Sequence, residues 1–388
     1  MDSLPTSARR AAAPEPRGQG AVRPVFGAKQ AALQVGFRAG LLRLMQLARR
    51  REAVILTFHR FAGEGTGDPS GLPVAKFAAY MEYLARCRRV VSLPDLARQL
   101  RQGEVRPYAA AVTVDDGYEE FFSLAVPVLR TYGIPASVFV ISDFVDGRLW
   151  PWTDRFRFVF EHAPRGPVVF EHRGSARVLR IRDEEDRWRL EESWREYAKT
   201  IPVAERDDLL GAIADACGVD IPATPPREYR PMTWAQLRAL AAEGFDVGAH
   251  TRTHPVLSRI PPERLQDEIG GCKEQLERNL GAPVAHFAYP NGRRQDYTPQ
   301  AVEAVARAGY VAAVTTVAGP NTADTPILEL QRIDASAADL AHFAQSVSGL
   351  DLLRTRLRSG LQRRLRRSGD VPEPAVPGSS ERDAMDSR

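Results

Sequence analysis

The chain has 388 residues, 44% of them hydrophobic and 26% charged, a balance that supports a sizeable buried core and excludes a polymer-like or wholly disordered chain. Its net charge of +4 is unevenly spread: residues 350–367 hold seven arginines and one aspartate, residues 38–52 hold five arginines and one glutamate, and the remainder is acidic. A broad nucleic-acid-binding face is therefore excluded, and no run approaches 18 uninterrupted apolar residues as a membrane span requires.

Residues 1–30 are rich in Ala, Pro, Gly and Arg without periodicity and read as a disordered tail that lacks the apolar core and cleavage site of an export signal. Residues 31–50 read as a basic amphipathic helix, with Phe37, Leu41, Leu44 and Ala48 on one stripe. The main domain is expected over 51–347. Val54 to Phe58 suits a buried strand and ends in His59 and Arg60; Val74 to Arg86 reads as a helix, Val90 and Val91 as a short strand, and Leu93 to Leu100 as a helix. Ala109 to Val114 is a strand that runs into two adjacent acids and a glycine, Asp115-Asp116-Gly117. A helix from Tyr118 to Tyr132, kinked at Pro127, and a strand from Ala136 to Ile141 follow, and this spacing predicts parallel β/α units.

The rhythm changes over 150–230, which reads as an insertion: an aromatic cluster around Trp150 to Phe160, a hairpin turning at Gly174, and helices over Glu184 to Lys199 and Ala204 to Cys217. The β/α alternation then resumes. Strands are expected at Phe245 to Ala249, Val284 to Ala288, Tyr310 to Val314 and Ile327 to Ile333, with helices at Thr233 to Glu243, Pro262 to Leu280, Thr298 to Ala308 and Ala335 to Val347. Residues 350–367 form an Arg-rich amphipathic helix, and the end from Gly369 reads as a disordered tail. The two basic helices suit packing, association or contact with an anionic membrane. The three cysteines, Cys87, Cys217 and Cys272, fit neither a disulfide framework nor a zinc knuckle and are read as free thiols. With the missing export signal they place the chain in the cytoplasm, with peripheral contact at the inner membrane face.

Polar groups recur at expected strand ends: His59, Asp115, Asp116, His250, Tyr289 and Arg332. The carboxyl ends of parallel barrel strands form one rim, so six separate segments deliver chemistry to one place. His250 and His254 stand at i and i+4, and with Asp116 they offer two imidazoles and an oxygen, a ligand set suited to a divalent cation, Zn²⁺ first, with Mn²⁺ and Co²⁺ as alternatives. Asp115 is left free to take a proton from a bound water.

These motifs resemble the polysaccharide deacetylases of the NodB-homology type, carbohydrate esterase family 4, over most of residues 52–345. Thr113-Val114-Asp115-Asp116-Gly117 is similar to the family's first motif, and His250-Thr251-Arg252-Thr253-His254 matches its second. Val54 to Arg60 and Phe287-Ala288-Tyr289-Pro290-Asn291-Gly292 resemble an exopolysaccharide-associated branch. The resemblance implies an α/β fold, a distorted, incomplete (β/α) barrel, here with an inserted region. It implies metal-dependent removal of acetyl groups from a polysaccharide, oligosaccharide or lipid-linked sugar, with Asp115 as base and Asp116, His250 and His254 on the metal. The alternatives are a catalytically impaired carbohydrate-binding member and a metal-dependent amidohydrolase of a small non-sugar amide.

Two departures stand out. Ala288 occupies a position where the family commonly carries the arginine that orients the base, leaving Arg293, Arg294 or Arg332 to serve. Leu330-Gln331-Arg332 stands where the family commonly carries the histidine that protonates the leaving group. Arginine stays charged near neutral pH and cannot act as that acid, so Arg332 is expected to stabilise an oxyanion or bind an anionic sugar, and the proton is left to His59, a metal-bound water or a recycled Asp115. Tyr289 is assigned to the substrate, with its backbone N–H as an oxyanion donor, and Trp152 and Asp154 to substrate contact in the region of the fourth motif.

Overall fold

The structure, a computed structural model, describes residues 47, 49–63, 71–336 and 339–349. The two basic terminal helices, the membrane contact assigned to them and both tails lie outside the described residues, apart from the end of the first helix at Leu47 and Arg49 to Arg50.

Seven parallel strands close into a barrel. They are β1 (Val54–Phe58), β5 (Ala109–Val114), β6 (Ala136–Val140), β9 (Asp246–Ala249), β10 (His286–Ala288), β11 (Ala312–Ala318) and β12 (Leu330–Asp334), with β1 pairing both β12 and β5 to shut the ring. Seven strands are one short of the eight of a complete (β/α) barrel. A short β4 (Arg89–Val90) adds to the start of β5, and β2 (Phe61–Ala62) pairs β3 (Leu72–Pro73) outside the ring. Almost every barrel-strand residue before the carboxyl ends is buried, because both faces of the sheet are covered, and this is why the strands read as continuous apolar runs. One set packs inside the ring, including Ala53, Ile55, Ala111, Phe139, Ala288 and Val314. The other, including Leu56, Val112, Val138 and Phe287, packs under the surrounding helices.

Register fixes what meets at the rim. Phe58 lies opposite Val114, so His59 and Asp115 leave adjacent strands together. Val140 lies opposite Ala249 and Ala249 opposite Phe287, which carries His250 to the same rim. Gly117 has φ +90, and a Cβ there would lie 2.8 Å from Val140 Cγ1, so the turn after the two acids needs glycine both for its backbone and for its approach to β6.

Between β6 and β9 the chain builds a second apolar cluster, around Trp150, Phe156, Phe160, Leu179, Trp194 and Leu210. It is made by a helix at Trp152–His162, an antiparallel hairpin of β7 (Gly166–His172) and β8 (Ser175–Ile181), and helices at Glu184–Ala198 and Val203–Cys217. The aromatic run that gave no clear period is the first of these helices, with its rings divided among several neighbours.

Two helical expectations change in detail. Pro127 does not simply kink its helix: a π segment at Phe121–Ala125 precedes Val126–Tyr132, where Pro127 sits in the first turn and needs no N–H partner. The Pro262 to Leu280 stretch divides into a 3₁₀ turn at Pro262–Arg264, a π segment at Asp267–Gly271 and an α-helix at Cys272–Leu280. Among the described residues no helix is long and apolar enough to cross a membrane.

Candidate active site

Asp115 and Asp116 follow β5 directly, and the backbone there turns sharply, with Asp116 at φ 74. Thr251, His254 and Asn291 are also left-handed, at φ 65, 57 and 59. Four such non-glycine residues around one cavity mark a backbone held in place by its surroundings.

His250 and His254 converge through a loop and not through a turn of helix. Thr251 Oγ1 donates to the His250 carbonyl at 2.5 Å and accepts from His254 N–H at 3.0 Å. Glu268, 1% exposed, grips the same loop: its carboxylate accepts from the N–H groups of Arg252 and Thr253 at 3.1 and 2.9 Å and from Thr253 Oγ1 at 2.6 Å. Nothing in the sequence spacing singled out Glu268; its contacts reach back 15 and 16 residues through irregular backbone.

The Nε2 atoms of His250 and His254 lie 3.6 and 3.5 Å from Asp116 Oδ1, and the three donors fall within 4.8 Å of one another. His250 Nδ1 lies 2.7 Å from the Ala288 carbonyl, which only accepts, so the lone pair of this imidazole is on Nε2, facing Asp116. Burial pulls His250 down to about 4, and burial with the neighbouring His250 pulls His254 well below the usual imidazole range. Asp116 is pushed well up, first by burial and then by the charges of Asp115 and Asp154. Two neutral imidazoles around a carboxylate that is unfavourably charged on its own form a donor set that a divalent cation completes.

Asp115 has a different environment. Arg332, 1% exposed, donates from Nη1 to Oδ1 at 2.7 Å and from Nη2 to Oδ2 at 2.6 Å. Its remaining hydrogen bonds go to Thr113 Oγ1 and the Thr315 carbonyl, and its guanidinium lies 6.0 Å from the Phe139 ring centre. Burial is the largest single influence and would raise Asp115, but the charge and hydrogen bonds of Arg332 together with His250 and His59 outweigh it and hold the carboxyl well below the usual range. Arg332 thus stands as Asp115's partner from β12. Arg332 lines the cavity, with four hydrogen bonds from its guanidinium directed at Asp115, Thr113 and Thr315. His59 is on the open side, 46% exposed, with Nε2 3.9 Å from Asp115 Oδ2.

Tyr289 and Trp152 are not brought to the substrate side. The Tyr289 ring is buried with its hydroxyl on the Leu328 carbonyl, and its N–H donates to the Val314 carbonyl at 3.1 Å, so that N–H is committed to the sheet. Trp152 is buried, donates from Nε1 to the His254 carbonyl at 3.2 Å and carries the Arg206 guanidinium over its ring. Asp154 does reach the cavity wall, but both its oxygens lie 2.8 Å from the Tyr118 hydroxyl, and burial pushes it up to about 7 despite the opposing charge of Arg60.

The cavity has a volume of about 530 Å³ and contains Asp115, Asp116, His250, His254 and His59 in its wall. The 150–230 segment supplies much of the rest, including Arg157, Glu192, Arg195, Glu196 and Lys199, facing Asn291, Arg293 and Thr316 from the barrel loops. The residues from the 150–230 segment carry no motif; they meet the barrel loops through tertiary packing.

The chain is similar to several known proteins. YxkH of Bacillus subtilis (strain 168), whose name places it among polysaccharide deacetylases, is 27% identical over 284 residues, 73% of this chain and 71% of its own. Among solved structures, IcaB from Ammonifex degensii is 20% identical with a TM-score of 0.49, covering 76% of this chain and 97% of that one. The Streptococcus pyogenes deacetylase PplD is 18% identical with a TM-score of 0.48, covering 73% and 92%. The profile of the Polysaccharide deacetylase family matches residues 102–184 and 198–313, more than half of the chain, and the chain belongs to that family.

Proposed function

We propose that the protein hydrolyses acetamide groups on a carbohydrate, releasing acetate and leaving a free amine, with a divalent cation at Asp116, His250 and His254. The observation that carries this reading is the division of labour between adjacent acids. Asp116 shares its space with two neutral imidazoles, while Asp115 is turned away onto a buried arginine.

When bound, the cation supplies a Lewis acid that polarises the acetyl carbonyl and makes a water acidic enough to lose its proton near neutral pH. Asp115, kept ionised and in one orientation by Arg332, accepts that proton. His59, exposed on the cavity wall beside Asp115, is placed to protonate the departing nitrogen, the task Arg332 cannot perform. His250 is oriented by the Ala288 carbonyl, and the loop that carries His250 and His254 is held by Glu268.

Acetate release from N-acetylated oligosaccharides, measured with protein loaded with Zn²⁺, Mn²⁺ or Co²⁺, tests the reading. D115N should lower turnover about 10²-fold or more while retaining the metal. Unchanged turnover in D115N rejects Asp115 as the base, and metal retention without turnover in the parent protein favours a binding protein.

A further inference from the structure

Lys199 lies just beyond the helix Glu184–Ala198, on the cavity wall, with its side chain 12% exposed. Its ammonium donates to Glu196 Oε1 at 2.6 Å, and the other oxygen of Glu196 accepts from Arg293 Nη1 at 2.7 Å. The Glu196 carboxylate therefore joins the 150–230 segment to the loop after β10, holding both cations at the cavity. An ammonium has three N–H groups, and one is directed at Glu196. Among the described residues the ammonium has no second protein acceptor, and Lys199 lines the same cavity as His254 and Asp116. A nearly buried ammonium with uncommitted donors is costly unless an acceptor meets it.

We propose that Lys199, positioned by Glu196 and Arg293, is a specificity-determining contact for the sugar unit that carries the acetamide, donating hydrogen bonds to its hydroxyl or ring-substituent oxygens. This rests on the carbohydrate reading of the same cavity and adds a subsite built by the 150–230 segment. The ligand class is a neutral N-acetylhexosamine unit: the wall also carries Glu191, Glu192 and Glu196, so it is not a general anion trap. Neutral sugars offer many weak acceptors, and one charge-assisted bond in a partly dry cavity selects among them.

The test compares the parent protein with K199M and K199R in full-length, metal-loaded form. Binding of an N-acetylglucosamine tetramer is followed by calorimetry, and acetate release is followed in parallel. K199M should weaken binding about tenfold and raise KM similarly, with a much smaller change in kcat, and K199R should recover part of the loss. Equal melting temperatures and metal contents exclude misfolding as the cause. Equal tetramer affinity in the parent and K199M, or no binding by the parent, overturns the subsite. Absent acetate release alongside Lys199-dependent binding instead rejects the deacetylase reading and keeps the subsite.

Discussion

Asp115 and Arg332 form the most consequential pair in the molecule. Both are buried and their contact is bidentate, so removing the cation leaves an uncompensated carboxylate in the barrel interior. R332M should cost roughly 3–5 kcal/mol of stability by urea denaturation and lower turnover as well. R332K, which keeps a charge but not the fork, should fall between. The adjacent acids were readable as a working pair in the sequence because a β-prone run rarely ends in two carboxylates without a use for them. Arg332's role was not readable in the same way. Its contact with Asp115 spans 217 residues, and only closure of the ring through β1 brings β12 to within one strand of β5. Tyr289 misled for a related reason: its motif marks the right rim, but the parallel ladder consumes the N–H that a linear reading leaves free.

At the level of elements, the histidine loop depends on Glu268. E268A frees two backbone N–H groups and the Thr253 hydroxyl, and it should weaken Zn²⁺ affinity about tenfold by competition with a chelating dye, with E268Q intermediate. Strands and most helices were legible because their apolar periods are local. The path between His250 and His254 was not, since the i, i+4 spacing fits a helical turn as well as a left-handed loop. The hairpin β7–β8 carries its own switch. His172 Nε2 meets the Tyr197 hydroxyl at 2.9 Å, joining the hairpin to the helix that bears Glu196. Burial lowers this imidazole below its ordinary value of about 6.5, Glu205 opposes, and Arg173 and Arg177 add to the lowering. An unfolded imidazole protonates first as pH falls, so the stability it contributes is present above about pH 6.5 and is lost as pH drops through the lowered folded value. Hydrogen-exchange protection factors over 166–181, corrected for the intrinsic slowing of exchange at lower pH, should therefore fall between pH 7.5 and pH 5 more than those of the barrel strands, and H172Q should flatten that difference.

For the molecule as a whole, a cation that binds only the folded site should stabilise it by about 2.7 kcal/mol at a concentration 100 times Kd. Urea midpoints with and without Zn²⁺ measure this, and H250A should abolish the increment. The (β/α) architecture was legible from strand and helix alternation; the contribution of the 150–230 segment to the cavity was not, because its charged residues look like an ordinary solvated helix face until the barrel is placed beside them. The strand that closes the ring is also the last to be synthesised, and it delivers the guanidinium to Asp115. On the ribosome, a nascent chain halted ahead of position 332 would already contain both acids, both imidazoles and the charged wall, yet would have an open seam between β1 and β11 and a stranded carboxylate inside. The bidentate partner of Asp115 therefore arrives only with the final barrel strand, and the buried carboxylate is compensated once the ring is shut.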